Sequence, residues 1–167
     1  MLTDGTLFIG DTGEVFKGFN VQDGVAVELL RMHCVELAVL SGKASNALEF
    51  RCKQLGIHHA IFGCKNKTRG VEALMKAYSL SSEQVIFCGE DVIDLPAMYA
   101  VGFSVVPANA HRLVKQAAGV VIESRGGEGV LRELADVILE LQCGSLDIAY
   151  APLLISFGND TAQQAEQ

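Results

Sequence analysis

Short apolar runs alternate along the chain with longer stretches in which apolar residues recur at helical spacing, the pattern of an α/β fold whose strands run parallel. Strands are predicted at Val35–Leu40, His59–Phe62, Val85–Cys88, Phe103–Val106 and Gly119–Ile122. Helices are predicted between and after them, at Asp23–His33, Ala44–Leu55, Thr68–Leu80, Asp94–Val101, His111–Ala118 and Gly129–Gln142. The front of the chain differs. Thr6 to Phe19 reads as two short alternating segments around Asp11-Thr12-Gly13-Glu14, a β-hairpin by its turn chemistry. After Gln142 the helical period fades, and Gly158 to Gln167 reads as a polar tail expected to be mobile. The expected architecture is a Rossmann-like parallel sheet flanked by helices, with a domain over residues 1–150 and a C-terminal tail over 151–167.

Composition narrows the class. A chain of 167 residues, half of them hydrophobic, is long enough for one domain with a real core. Its 13 Lys and Arg against 20 Asp and Glu give a net charge of −7, which argues against nucleic-acid or anionic-membrane partners. The five cysteines, Cys34, Cys52, Cys64, Cys88 and Cys143, are scattered without CxxC pairs. That distribution fits reduced thiols in a cytoplasm better than a disulfide framework or a zinc site. No apolar stretch reaches the roughly 18 residues of a membrane helix, and the N-terminus lacks a signal-peptide pattern.

In an open parallel sheet, ligands gather beyond the carboxyl ends of the strands. Polar residues stand at three such ends: Ser41 in SGKAS, Lys67 after FGCKN, and Glu90, Asp91 and Asp94 in GEDVID. A hydroxyl, an ammonium and an acidic cluster meeting at one sheet edge suit a phosphate, with the carboxylates holding Mg2+. Each has a plainer reading alone. Ser41-Gly42 caps the following helix, Lys67 is a solvated lysine at a helix start, and the acids complement a helix macrodipole.

The sequence resembles the haloacid dehalogenase superfamily phosphatases, in the small capless branch that includes the 3-deoxy-D-manno-octulosonate 8-phosphate (KDO 8-phosphate) phosphatases. The residues that carry the resemblance are Leu2–Gly5, Gly13–Gly24, Ser41–Ser45, Arg51 with Leu55-Gly56-Ile57, Lys67, Gly89–Met98, Val101–His111 and Gly126–Glu133. The resemblance implies Mg-dependent hydrolysis of a sugar acid phosphate through a phosphoaspartyl intermediate, in lipopolysaccharide precursor synthesis. It implies catalytic roles for Ser41, which holds the phosphoryl group, and for Lys67, which offsets its charge. Glu90, Asp91 and Asp94 become the metal positions, and Thr3, Asp4, Gly42, Lys43, Arg51 and Arg132 face the substrate. A cytoplasmic homotetramer is implied, in which the hairpin and a C-terminal segment of one subunit close over the site of another.

The sequence departs from the family pattern in several places. The two aspartates of the family's DxDGV signature are not among its residues; Met1 stands at the last of those five positions. The signature ends a central strand, and two neighbours without it leave unpaired backbone groups that cost about 1 to 3 kcal/mol each when buried. The chain is therefore expected to fold poorly alone. In one alternative the apolar Pro152–Asp160 fills the slot, which requires Leu153 to Phe157 to pair between strands near Val39 and Phe87. SGK stands for TGR, Asn66 precedes Lys67 in place of aspartate, and Glu90 stands where aspartate is expected. Two other readings follow from these changes: a catalytically inactive binding or scaffold protein, and the phosphatase-like module of a sugar-acid nucleotidyltransferase.

Overall fold

The computed structural model of the protein describes the backbone of residues 1–164 and the side chains as far as Gly158. The hairpin comes first: β1 (Phe8–Gly10) pairs antiparallel with β2 (Gly13–Phe16) around a turn at Asp11-Thr12, and Gly13 supplies the positive φ of 111° that this turn needs. There follow α1 (Val21–Met32), β3 (Ala38–Ser41), α2 (Asn46–Gln54), β4 (His59–Phe62) and α3 (Lys67–Tyr78). The second half runs β5 (Ile86–Cys88), α4 (Leu95–Met98), β6 (Phe103–Val106), α5 (Arg112–Ala117), β7 (Val120–Val121), α6 (Val130–Cys143) and α7 (Leu146–Gln164).

The strands after the hairpin are parallel, as the pattern predicts, but they form two ladders. β3 pairs with β4, and β5, β6 and β7 pair in that order. Among the described residues no strand joins β3 to β5.

Helix starts follow from short polar side chains at the caps. Asn20 accepts from the Gln22 N–H, Ser45 from Leu48 and Asn66 from Arg69, each satisfying a backbone donor that the first helical turn leaves free. α6 has no such residue of its own, since its cap is Gly129 in the left-handed region. Asp23, in the first turn of α1, substitutes for it: its Oδ1 accepts from the N–H groups of Leu131 at 3.0 Å and Arg132 at 3.3 Å.

Period-two alternation distributes the core over both faces of the strands. Val106 packs with Phe87, Val71, Met98 and Val114 on the face of α3, α4 and α5. Its neighbour Val105 packs with Ile122, Val130 and Leu134 on the α6 face. In β3, Val39 joins the cluster of α1, α2 and α6, while Leu40 packs against the α3 side. The result is a three-layer arrangement that directs every parallel strand end to one edge.

The C-terminal segment corrects the strand alternative. Leu153 to Phe157 lie in α7, and Leu153 packs with Leu29, Leu139 and Ala149. Ala149 and Leu153 are four residues apart, so a helix puts both on the apolar face that α1 and α6 leave open. α7 also runs without a break through residues 150 and 151, and the helical period that fades in the sequence persists in the backbone. The remainder of the predicted tail, residues 165–167, lies outside the described residues. Among the described residues no single helix is long and apolar enough to cross a membrane.

Asp23 is 2% exposed, and its Oδ2 has no hydrogen-bond partner. Burial raises its pKa above the usual 3.8, against the opposing pull of the two backbone N–H groups, the Met1 amino group and Arg51. The fold therefore favours the protonated carboxyl, and that contribution is present below the unfolded pKa and is lost as pH rises through the folded value. In thermal denaturation the wild-type midpoint should fall relative to that of Asp23→Asn as pH rises above about 4. Parallel pH profiles for the two proteins would contradict this.

Candidate active site at the carboxyl ends of the strands

Three strand ends converge as predicted. Ser41 closes β3, and its carbonyl accepts from the Cys64 N–H at 2.8 Å, which ties the β3 end to the loop after β4. That loop delivers Lys67 as the first residue of α3. Beyond β5, Gly89 begins the turn that carries Glu90, Asp91 and Asp94. Glycine is required at position 89, because a Cβ there would stand 2.8 Å from the Asp94 Cβ.

The Lys67 ammonium donates to Asp94 Oδ1 in a close ion pair. Asp94 Oδ2 accepts from the backbone N–H groups of Glu90 at 2.9 Å and Asp91 at 3.2 Å. Asp94, 2% exposed, is thus fully engaged in holding the turn and its lysine. Glu90 and Asp91 are left as the outward carboxylates. Asp91 Oδ1 caps the Val92 N–H at 2.6 Å, and Glu90 Oε2 accepts from the Met1 ammonium at 2.6 Å.

Among the described residues no three His, Cys, Asp or Glu side chains converge as a ready metal cage. Mg2+ does not need one, since it is usually held by one or two carboxylates together with waters and substrate phosphate. The Glu90 and Asp91 oxygens are hard donors of that kind. These residues fit the metal. Cys88, just below the corner, does not compete for it, because burial pushes its thiol up to about 12.

The substrate-facing residues predicted from the resemblance divide into groups. The Ser41 hydroxyl is folded into its own turn, donating to the Lys43 carbonyl at 2.7 Å. A Cβ at Gly42 would find its nearest neighbour at 3.9 Å, so this glycine is not demanded by space. Lys43 is ion-paired with Glu14 of the hairpin at 3.1 Å. Thr3 lies beside the corner: a Cβ on Gly126 would come within 3.1 Å of its carbonyl and 3.3 Å of Glu90 Oε2. Asp4 turns away, accepting from the Thr6 N–H and hydroxyl at 2.8 Å each, and these bonds hold its pKa below the usual value. Arg51 donates to the Asn20 carbonyl at 3.3 Å and to Gln54 at 2.7 Å. Arg132 reaches Asp136 at 3.3 Å and lies over the Tyr150 ring at 4.9 Å.

Glu14 and Asn109 help to shape the site and were not singled out from sequence, whereas the glycine turn at Gly126–Gly129 is among the residues that carry the resemblance. Glu14 gathers Lys17 at 3.0 Å, Lys43 and the Ser45 hydroxyl, and these contacts lower its pKa to about 2, the Ser45 bond most of all. Asn109 Oδ1 accepts from the Gly126 N–H at 2.8 Å and so holds the glycine turn over Glu90. Gly127, with φ 79°, leaves no room for a side chain, because a Cβ would stand 2.5 Å from the Asp4 N. Asp23 did carry a signal: it shares a helical face with Ala26, Val27 and Leu30, which marks it as a buried acid. Asn109 follows β6 at the same sheet edge as the other site residues, so the strand-end rule reaches it as well.

Removing Lys67 leaves the Asp94 carboxylate buried without its counter-charge, which costs about 3 kcal/mol. Urea denaturation should show that loss in Lys67→Met. The double variant Lys67→Met/Asp94→Asn should recover most of it, and equal losses in the two proteins would contradict the pairing.

Residues 45–134 match the haloacid dehalogenase-like hydrolase family. The KDO 8-phosphate phosphatase of Escherichia coli K12 is 38% identical over 149 residues, covering 89% of this chain and 79% of that one. Among solved structures, the cobalt-bound phosphatase of Haemophilus influenzae, named for the same substrate, superposes with a TM-score of 0.82 at 39% identity, over 84% of this chain and 82% of the other. The Moraxella catarrhalis KDO 8-phosphate phosphatase, in complex with magnesium, phosphate and KDO, gives 0.80 at 29% identity over 84% and 80%. The strand-end corner, the family match and these relatives agree: the chain belongs to the haloacid dehalogenase-like hydrolases, in the family of the KDO 8-phosphate phosphatases.

Proposed function

We propose that this protein is a magnesium-dependent phosphatase for a sugar acid phosphate, KDO 8-phosphate, acting in the cytoplasm in lipopolysaccharide precursor synthesis. The observation that carries the reading is the corner itself. Lys67, clamped by Asp94, stands beside the outward Glu90 and Asp91 at the edge where the parallel strands end.

Glu90 and Asp91 would hold Mg2+, which neutralises phosphoryl charge when bound. Asp94 acts as the positioning residue, because both of its oxygens are committed to Lys67 and the turn. One of the three ammonium protons of Lys67 goes to Asp94, leaving two for phosphoryl oxygens. Rotation of the Ser41 hydroxyl away from the Lys43 carbonyl supplies a further donor. The resemblance assigns attack on phosphorus to the first aspartate of an Asp-x-Asp pair, which this sequence does not contain, and proton transfer to the second.

Phosphate release from KDO 8-phosphate should appear with Mg2+ in a protein carrying the family's Asp-x-Asp strand ahead of Leu2, and vanish with a chelator. Lys67→Ala in that protein should lower kcat/KM about 100-fold. No turnover by the extended protein would end the phosphatase reading and favour a binding role.

A homotetramer completes the proposal. Leu7, Ile9, Val15 and Phe16 are all more than half exposed on the hairpin, and Phe8 stacks on Phe16 with ring centroids 4.1 Å apart. A bare two-stranded ribbon is marginal in water, so an apolar surface of this kind is stabilised by a cover. Sedimentation analysis should find an oligomer that Phe16→Lys dissociates, and a monomeric wild type would contradict it.

A further inference from the structure

Cys34, Cys52, Cys64 and Cys88 are free thiols with no basic side chain in hydrogen-bond reach among the described residues. Cys34 is exposed and makes no hydrogen bond there. Burial raises the Cys52 pKa and pushes that of Cys88 up to about 12. Cys64 donates to the Asn66 carbonyl at 3.3 Å. Cys143 differs, because its Sγ stands 3.6 Å from His33 Nδ1.

His33 is oriented for that thiol. Its Nε2 lies 2.8 Å from the Ala149 carbonyl oxygen, which only accepts, so Nε2 carries the proton and Nδ1 of the neutral ring is left as an acceptor. Three elements fix the arrangement: His33 is the C-cap of α1, Cys143 is the last residue of α6, and Ala149 is fully buried in α7. A nucleophile, a base within reach and a third group that orients the base form the pattern of an activated thiol. The two helix ends act oppositely as the proton moves from sulfur to nitrogen. The negative end of α1 favours an imidazolium and that of α6 opposes a thiolate, each by about 0.3 to 1 kcal/mol, so the two effects nearly cancel.

The surroundings select the reagent. Cys143 is partly buried against the cluster of Leu29, Leu139, Ala149 and Leu153, an apolar setting that admits a small uncharged molecule and disfavours an anionic one. The site is also remote from the strand-end corner, since α6 carries Cys143 about 20 Å along its axis from the glycine turn.

We propose that Cys143 is a modification site for small hydroperoxides, with His33 as its base, and that its oxidation loosens α7. The thiol proton passes to His33 Nδ1 as sulfur attacks one peroxide oxygen. An S–O bond forms, the O–O bond breaks, and the departing hydroxide takes the proton from Nδ1 and leaves as water. Sulfur gives two electrons to the peroxide and becomes a sulfenic acid. The added polar oxygen then lies in the cluster that seats α7 on α1 and α6.

Peptide mapping of the 167-residue protein at pH 7 tests it. Iodoacetamide should alkylate Cys143 several times faster than the more exposed Cys34, and hydrogen peroxide with dimedone should place the sulfenic adduct first on Cys143. His33→Gln, whose amide can bond to both Ala149 and the thiol but takes no proton, should slow alkylation of Cys143 by about tenfold or more. A merely structural loss would open the site and speed the reaction instead. Amide exchange over residues 146–157 should rise on oxidation. Cys34 reacting first in the wild type, or a Cys143 rate that is unchanged or faster in His33→Gln, overturns the dyad. Unchanged exchange in the oxidised protein overturns the effect on α7.

Discussion

The site depends on one buried pair. Lys67 arrives from the loop after β4 and Asp94 from the turn after β5, two strands that lie in separate ladders with no strand between them among the described residues. Their ion pair connects the two ladders at the edge where the chemistry is placed. It also has a second effect, because the carboxylate that accepts Lys67 on one oxygen accepts the Glu90 and Asp91 backbone on the other. A partly dry environment strengthens such charge-assisted bonds and makes their partial loss expensive. The lysine is therefore held ready while the outward acids face solvent in a defined order.

The rest of the fold serves that edge. Alternation in β6 sends Val105 and Val106 to opposite helical layers, so the strand is clamped on both faces and its end cannot drift. Asp23 extends the same control to α6 by capping that helix from α1, and α6 follows directly on the glycine turn that lies against Thr3 and Glu90. Glu14 performs a comparable task on the other side. It binds the hairpin to the SGKAS loop through two donors, Lys43 and Ser45, while Lys17 pairs with it from the hairpin's own side, and its carboxylate stays ionised down to about pH 2. Two acids far from the strand-end corner in sequence thus set the positions of the loops around it.

Much of the fold was legible because it rests on local rules. His59–Phe62 and Phe103–Val106 are strands with the predicted bounds, since each is an apolar run between polar breaks. The helices fall within a few residues of prediction, their starts marked by Asn20, Ser45 and Asn66. α7 was misread because its polar and apolar residues are mixed around Pro152, and its register depends on the surface that α1 and α6 leave uncovered. Lys67 and the acids stand after β4 and β5, where the sequence pattern puts them. The engagement of Lys43, Arg51 and Arg132 was hidden, because a long cation finds its partner through folding rather than through spacing.

The sequence by itself determined the α/β class, the order of most elements and the placement of Ser41, Lys67, Glu90 and Asp91 after parallel strands, because parallel connections carry every strand end to the same side. Only the tertiary structure decided that Asp94 clamps Lys67 and the turn rather than facing outward, and that Lys43 and Arg132 pair with Glu14 and Asp136. The physical reason is the same in each case. Periodicity encodes which face of an element is buried, whereas the pairing of charges depends on distances between elements that meet only when the chain has folded.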